Sequence, residues 1–148
     1  KLRQDERVIN MEKQNIRAVT AEQLGELVDF ISIDVAFISL DKVLPVATTL
    51  LKNTGSLVAL IKPQFEAGKE KVGKGGIVRE RAVHEEVLSR ILQVAYDCEL
   101  YLHGLTFSPI KGTEGNIEFL GYFTKSEEGA LSITDELITA VVDEAHML

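Results

Sequence analysis

Two apolar segments separated by an amphipathic helix constrain the fold of this chain more than any other feature. The first, Phe30 to Leu40, reads FISIDVAFISL and predicts a buried strand that runs on into a loop. The second, Ser56 to Ile61, predicts another buried strand, which Pro63 closes. Between them, apolar residues at helical spacing predict a helix from about residue 40 to residue 52, which Asn53-Thr54-Gly55 ends with a positive-φ glycine. This order is typical of neighbouring strands in an α/β protein.

The rest of the chain predicts three more strands and three more helices. The strands are expected at residues 7–11, 98–107 and 117–123, and the helices are expected to begin at Thr20, Arg79 and Ser132. The short connection between the last two strands predicts an antiparallel pair. The whole order indicates an open, mostly parallel α/β sheet with a C-terminal antiparallel hairpin. Such sheets bind ligands beyond the carboxyl ends of their strands.

Three charged residues stand in otherwise apolar strand segments. Asp34 interrupts the first segment, Lys62 follows the second, and Glu118 stands at the beginning of the last strand, in GNIEFL. Singly, each has an ordinary explanation as a turn cap, a side chain that reaches solvent or a solvated strand residue. Because an unpaired buried charge is costly, we expect the three together to converge at one crevice. Phe37 and Ser39 would either touch a substrate base there or only pack and cap.

The charge of the chain is unevenly distributed. A net charge of −7 argues against uniform binding of nucleic acid, yet residues 62–81 carry a net charge of +3. The loop from Gln64 to Ile77 also holds four of the eleven glycines, so it predicts a basic docking site for an anion. Its pattern Gly68-x4-Gly73-Lys74-Gly75 resembles a phosphate-binding P-loop. A P-loop needs Ser or Thr where Gly75 stands to hold magnesium, so nucleotide hydrolysis is disfavoured.

The cysteine and histidine residues and the hydropathy of the chain argue against a disulfide, a metal site and a membrane span. The single cysteine, Cys98, rules out an internal disulfide and indicates a reducing compartment, so we expect a cytoplasmic protein. His84, His103 and His146 have no ligand spacing, so no metal site is predicted. No apolar run is long enough to span a membrane. Since the chain opens KLRQDERV without an initiator Met, we expect it to be part of a longer protein.

Three blocks of the sequence resemble those of a known family. DVAFISL, ALIKPQFEAGKEKVGKGGIVRE-x3-H and SPIKG-x2-GNIEFL are similar to the signature blocks of the TlyA or hemolysin A proteins, and the likeness runs from about residue 7 to residue 123. These proteins are FtsJ/RrmJ-like ribosomal RNA 2′-O-methyltransferases. The resemblance implies a Rossmann-like fold that uses S-adenosyl-L-methionine. It also implies that residues 1–148 are a partial methyltransferase domain of roughly five strands, without the cofactor's glycine-rich loop and an N-terminal S4-like RNA-binding domain.

The resemblance also implies roles for particular residues. Asp34, Lys62 and Glu118 match three members of the family's catalytic set of Lys, Asp, Lys and Glu, whereas the first lysine has no counterpart here. Glu12 and Asn15, together with Asp34, would approach the cofactor. The residues expected to contact phosphates of the ribosomal RNA are Lys69, Lys71, Lys74, Arg79 and Arg81.

The resemblance implies methylation of a ribose 2′-hydroxyl, that of a cytidine, and these residue types suit that reaction. A hydroxyl is a poor nucleophile until its proton is withdrawn, so Lys62 would act as general base while Asp34 orients it and Glu118 holds the other side. Two alternatives from other classes stay open. One is a non-catalytic RNA-binding module that uses the basic loop. The other is a membrane-lytic protein, as the hemolysin name suggests, and it is disfavoured because the final helix is acidic.

Overall fold

A four-stranded sheet organises the part of the chain that the structure, a computed structural model, describes, namely residues 4–112 and 115–147. Its strands are β1 (Val28–Ile33), β2 (Leu51–Ile61), β3 (Tyr101–Phe107) and β4 (Phe119–Thr124), in the spatial order β1-β2-β4-β3. β1 and β2 are parallel, whereas β4 is antiparallel to both β2 and β3. Three strands therefore run in one direction, and the predicted α/β fold with a C-terminal antiparallel hairpin is confirmed.

Three helices form a layer against one face of this sheet. They are α2 (Leu40–Leu50), α4 (Arg81–Asp97) and α5 (Asp135–His146), and α4 contacts both of the others. Two short helices are α1 (Ala21–Leu24) and α3 (Pro63–Glu66), and 3₁₀ turns occur at Ile16–Ala18 and Lys69–Lys71. The core lies between the layer and the alternate inward residues of the sheet. Within the two described ranges, no helix is both long and apolar enough to cross a bilayer.

Two expectations about strands are wrong. Residues 7–11 form no strand: the described chain turns at residues 6 and 7, where the Arg7 side chain bonds to Asp5, and four strands replace the expected five. Gly55 does not end α2 with a positive φ; it lies inside β2, which begins at Leu51 and pairs with β1. A Cβ at Gly55 would lie 2.9 Å from the Asp29 carbonyl oxygen, so the glycine permits a close approach of the two strands.

The helix starts are partly as predicted. Thr20 caps α1 as expected, since its hydroxyl accepts a hydrogen bond from the Gln23 N–H at 3.2 Å. The last helix is capped by Thr134 and not by Ser132: the Thr134 hydroxyl accepts from the Leu137 N–H at 3.1 Å. Both residues are hydroxyl-bearing, so the sequence alone does not distinguish them. The helix predicted from Arg79 begins two residues later.

The topology brings three chain segments to one edge of the sheet. β1 and β2 are parallel, so their carboxyl ends lie side by side. β4 runs the opposite way and starts where β2 ends, with Phe119 opposite Ile61 in the ladder. Asp34 follows β1, Lys62 follows β2 and Glu118 precedes β4, so all three residues lie at this edge.

Candidate active site

An ion pair joins the carboxyl ends of β1 and β2. The Lys62 Nζ lies 2.5 Å from the Asp34 Oδ1. The Lys62 side chain is only 15% exposed, whereas that of Asp34 is 69% exposed. The amine is therefore largely enclosed by protein, while the carboxylate still offers surface to a bound molecule.

Glu118 lies at the same edge of the sheet but bonds to a different residue. Its side chain is buried, with the residue 5% exposed, and its Oε2 accepts a hydrogen bond of 2.7 Å from Nε2 of Gln64. A Cβ on Gly112 would overlap the same carboxylate, so glycine is required there for Glu118 to fit. The structure thus brings Asp34 and Lys62 into contact and connects Glu118 to the segment two residues beyond Lys62.

A second buried carboxylate, Glu66, holds the loop after β1 against α3. Its side chain is 3% exposed and accepts hydrogen bonds from the Ser39 hydroxyl at 2.6 Å and the Leu40 N–H at 2.9 Å. Arg90 of α4 donates to the same carboxylate at 3.0 Å and to the Glu66 carbonyl at 2.7 Å. A carboxylate at the N-terminus of α2 also complements the partial positive charge of that helix end. Glu66 therefore fixes the loop that follows Asp34 relative to the segment that follows Lys62.

Two aromatic rings stand next to the ion pair. Phe37 is 90% exposed and adopts a left-handed backbone conformation with φ of 62°. Its ring lies 4.7 Å from that of Phe65, and the Lys62 Nζ lies 6.0 Å from the Phe65 ring centre. Such a backbone conformation is strained for a residue with a side chain and is common at binding sites. The loop after β1 thus presents an aromatic surface to solvent beside Lys62.

A cavity of about 690 Å³ opens on the other side of Asp34. Its walls are mainly apolar and include Ile9, Ile16, Phe30 and Val43, with Asp34 as the charged residue. Such a volume is normal for a small-molecule site. An apolar wall and one carboxylate fit a ligand that combines an aromatic base with a positive charge, as the implied cofactor does.

The other two residues expected to approach the cofactor do not line this cavity. The Asn15 Oδ1 accepts a hydrogen bond from the Arg17 N–H at 2.9 Å and so caps a 3₁₀ turn. The Glu12 Oε1 accepts from Asn10 Nδ2 at 3.0 Å. Their segment nevertheless borders the cavity through its apolar residues Ile9 and Ile16.

The basic segment, residues 68–81, leads from α3 to α4. Lys69, Lys74 and Arg79 are exposed and form no ion pair with any residue in the described ranges. Lys71 and Arg81 are exposed too, but they pair with Glu86 at 2.6 Å and with Asp143 at 3.0 Å. The segment is not a P-loop, since five residues separate Gly75 from the start of α4.

A pair of histidines lies under this segment. His84 is fully buried, and its Nδ1 lies 2.8 Å from the Nε2 of His146 at the end of α5. Burial, and then the charge of His146, lower the pKa of His84 to about 4, although the hydrogen bond to the Val78 carbonyl opposes them. Burial also lowers the pKa of His146. Among the described residues, no three His, Cys, Asp or Glu side chains are grouped as a metal site would need.

Sequence reasoning missed the buried polar partners Gln64, Glu66, Asn116 and His84. Each lies in a segment that reads as a loop or a solvated helix face, and each bonds to a residue 26 to 62 positions away in the sequence. One signal was available: all four stand within the family-like blocks quoted from the sequence.

The family model described as "FtsJ-like methyltransferase" matches residues 1–125 of the chain. A Bacillus subtilis protein, YqxC, named as a candidate rRNA methyltransferase, is 48% identical over 149 aligned positions. That alignment covers 99% of this chain and 53% of YqxC. A 16S/23S rRNA (cytidine-2′-O)-methyltransferase of Mycobacterium tuberculosis, TlyA, is 35% identical over 131 positions, covering 88% of this chain and 49% of TlyA.

A solved structure agrees with these sequence comparisons. A protein of Streptococcus thermophilus described as a candidate hemolysin superposes with a TM-score of 0.90 at 45% identity. The match covers 99% of this chain and 53% of that protein. The chain thus spans about half the length of the relatives that it matches.

Proposed function

This chain belongs to the FtsJ-like methyltransferase family, and from that premise we propose that it is the catalytic part of an S-adenosyl-L-methionine-dependent ribosomal RNA 2′-O-methyltransferase. The proposed target is the ribose of a cytidine, as the name of one relative states for that relative. The observation that carries the proposal is the position of Asp34, Lys62 and Glu118 at one edge of the sheet. The basic segment follows α3 beyond the end of β2, and the exposed ring of Phe37 lies in the loop after β1.

Lys62 is the proposed general base. The cofactor, when bound, supplies an electrophilic methyl group, and the attacking oxygen must lose its proton as it reacts. The Lys62 ammonium of the ion pair releases one proton to solvent, and the resulting amine accepts the proton that the 2′-hydroxyl gives up. The ion pair of 2.5 Å holds the Lys62 Nζ against Asp34, which also lines the cavity. Asp34 then orients the amine on one side and favours positive charge in the cavity on the other.

Glu118 has a different task in this proposal. Its carboxylate is buried and is held by the Gln64 amide at 2.7 Å. Because Gln64 follows Lys62 by two residues, the bond fixes the distance between the segment that carries the base and the start of β4. Glu118 therefore accepts a hydrogen bond from the ribose or orients Lys62 from the side opposite Asp34.

Substrate RNA is held by stacking and by charge. The exposed ring of Phe37 is 4.7 Å from that of Phe65, and we infer that Phe37 stacks on a base that has left its helix. Lys69, Lys74 and Arg79, which form no ion pair within the described ranges, contact phosphates, which positions the RNA without specifying its sequence.

The decisive experiment offers the full-length protein two RNA substrates that differ at one atom. One carries cytidine at the modified position and the other carries 2′-deoxycytidine. The proposal predicts 2′-O-methylcytidine in the mass spectrum of the digested first RNA and no methylation of the second. Methylation of the deoxy substrate would place the methyl group on the base and contradict the proposal. Binding without any methyl transfer would favour the non-catalytic RNA-binding module.

A further inference from the structure

The buried side-chain amide of Asn116, which precedes Glu118 by two residues, forms hydrogen bonds to the basic segment. Asn116 is 1% exposed, and its Oδ1 accepts a hydrogen bond from the Val78 N–H at 2.9 Å. Its Nδ2 donates to the Gly76 carbonyl at 2.9 Å. One side chain thus contacts the backbone of the basic segment at two points, two residues before Glu118.

His84 completes the connection from the other side. The Val78 carbonyl can only accept, so the Nε2 of His84 at 3.1 Å carries the proton and donates. The Nδ1 of His84 then accepts from His146 Nε2 at 2.8 Å. Both backbone polar groups of Val78 are therefore bonded to buried side chains, one from the approach to β4 and one from α4.

The basic segment needs such attachments because its own sequence favours mobility. Gly75 and Gly76 both have positive φ, at 81° and 77°, in an exposed turn. Lysine charges on a mobile turn attract RNA but do not hold a phosphate at a fixed distance from a reacting atom. Methyl transfer requires that distance to be fixed.

We propose that Asn116 and His84 are positioning residues that hold the basic segment at a fixed distance from Glu118, so that RNA phosphates and the reacting ribose are engaged together. This inference rests on the proposed function. Without these hydrogen bonds, only a fraction of the molecules have the segment in its binding position. The apparent Kd for RNA then rises by the inverse of that fraction.

The test uses three variants of the full-length protein and two readouts. His84→Leu removes both polar contacts of the imidazole, and His84→Gln keeps a donor that can reach the Val78 carbonyl. His103→Leu is the matched control, since His103 is a half-buried histidine bonded to Thr124 and Ser126, away from the segment. The first readout is hydrogen exchange of the Val78 N–H. The second is the Kd for RNA together with kcat at saturating RNA.

The expected result is a separation of the two histidine variants. His84→Leu should exchange the Val78 N–H at least about tenfold faster and raise the Kd for RNA about tenfold, while kcat at saturating RNA stays within about threefold. His84→Gln should restore both readouts towards wild type, and His103→Leu should change neither. Equal defects in the Leu and Gln variants would indicate a packing role alone and overturn the inference.

A substitution at Asn116 tests the same inference should a His84 variant not fold. Asn116→Asp keeps the acceptor for the Val78 N–H but loses the donor to Gly76, so we expect weaker RNA binding in a folded protein. Unchanged Kd for RNA in that variant would contradict the inference. The exchange readout does not involve methylation, so it separates failure of this inference from failure of the proposed function.

Discussion

The side-chain amide of Gln64 donates a hydrogen bond of 2.7 Å to the carboxylate of Glu118, and this bond links the first turn after β2 to the residue before β4. Among the described residues, the Gln64 Oε1 is a buried side-chain atom without a hydrogen-bond partner. The amide is therefore aligned for Glu118 at the cost of its own acceptor. The arrangement therefore fixes the position of the Glu118 carboxylate at a cost in stability.

Removing the Glu118 carboxylate should cost stability as well as activity. Glu118→Ala leaves the Gln64 Nε2 without its acceptor, so we expect the free energy of unfolding to fall by about 1–3 kcal/mol. Glu118→Gln retains an acceptor oxygen and should lose much less stability, while both variants lose methyl transfer. Urea denaturation of the two variants measures the difference. Equal unfolding free energies of wild type and Glu118→Ala would show that the bond contributes nothing.

Replacing Glu66 should lower the stability of the protein strongly, because its carboxylate is buried and bonded to three groups. Glu66→Ala removes the acceptor of the Ser39 hydroxyl and the Leu40 N–H and leaves Arg90 without its closest carboxylate partner. We expect destabilisation of about 3 kcal/mol, the usual cost of breaking a buried charged network. The exposed Glu26→Ala is the control and should change stability by less than about 0.5 kcal/mol. Thermal unfolding with equal midpoints for both variants would contradict this role.

The buried histidine predicts a loss of stability in mild acid. The pKa of His84 is about 4 in the folded protein and about 6.5 in the unfolded chain. Below pH 6.5 the unfolded chain binds a proton that the folded protein does not, so stability falls as the pH is lowered towards 4. Between pH 7 and pH 5 the loss from this group is about 2 kcal/mol.

The variant His84→Gln isolates this contribution. Its unfolding free energy should depend less on pH than that of the wild type over the same range, because it cannot take up the proton in either state. Denaturant titrations at pH 7, 6 and 5 measure both slopes. Parallel slopes for wild type and variant would mean that His84 titrates normally in the folded protein.

The exposed cations of the basic segment predict a salt-dependent RNA affinity. Replacing Lys74 by alanine removes one phosphate contact and should reduce the slope of log K against log salt by about 0.7–0.9. Lys52→Ala is a matched control, since Lys52 pairs with Asp29 at the opposite end of β1 and β2. An unchanged slope for Lys74→Ala would exclude this residue from the RNA interface.

The contact between Asp34 and Lys62 was predictable from the sequence, and the polar partners Gln64, Glu66 and Asn116 were not. Asp34 and Lys62 each follow an apolar run, and parallel neighbours bring such residues together, so their contact follows from periodicity and topology. Gln64, Glu66 and Asn116 are polar residues in segments that read as loops. Their burial depends on contacts across 26 to 54 residues of sequence. No local pattern encodes such contacts.

The predicted start of β2 was wrong for a related reason. Leu51 to Gly55 read as the end of a helix and its glycine cap, but pairing with β1 makes them the first residues of β2. Local turn signals at Asn53 and Gly55 were overridden by the ladder, in which Gly55 allows two backbones to approach closely. Residues 7–11 show the opposite error: a strand was predicted there, and no strand of the described chain pairs with them.

The central claim is tested most directly by methyl incorporation into ribosomal RNA by the full-length protein carrying Lys62→Ala, beside Lys52→Ala as the control. Each variant removes one Lys–Asp ion pair between β1 and β2, at 2.5 Å and 3.0 Å, at opposite ends of the same strands. We predict a rate at least about 100-fold lower for Lys62→Ala, the usual effect of losing a general base, and a near wild-type rate for Lys52→Ala. A Lys62→Ala protein that methylates RNA at the wild-type rate would contradict the account.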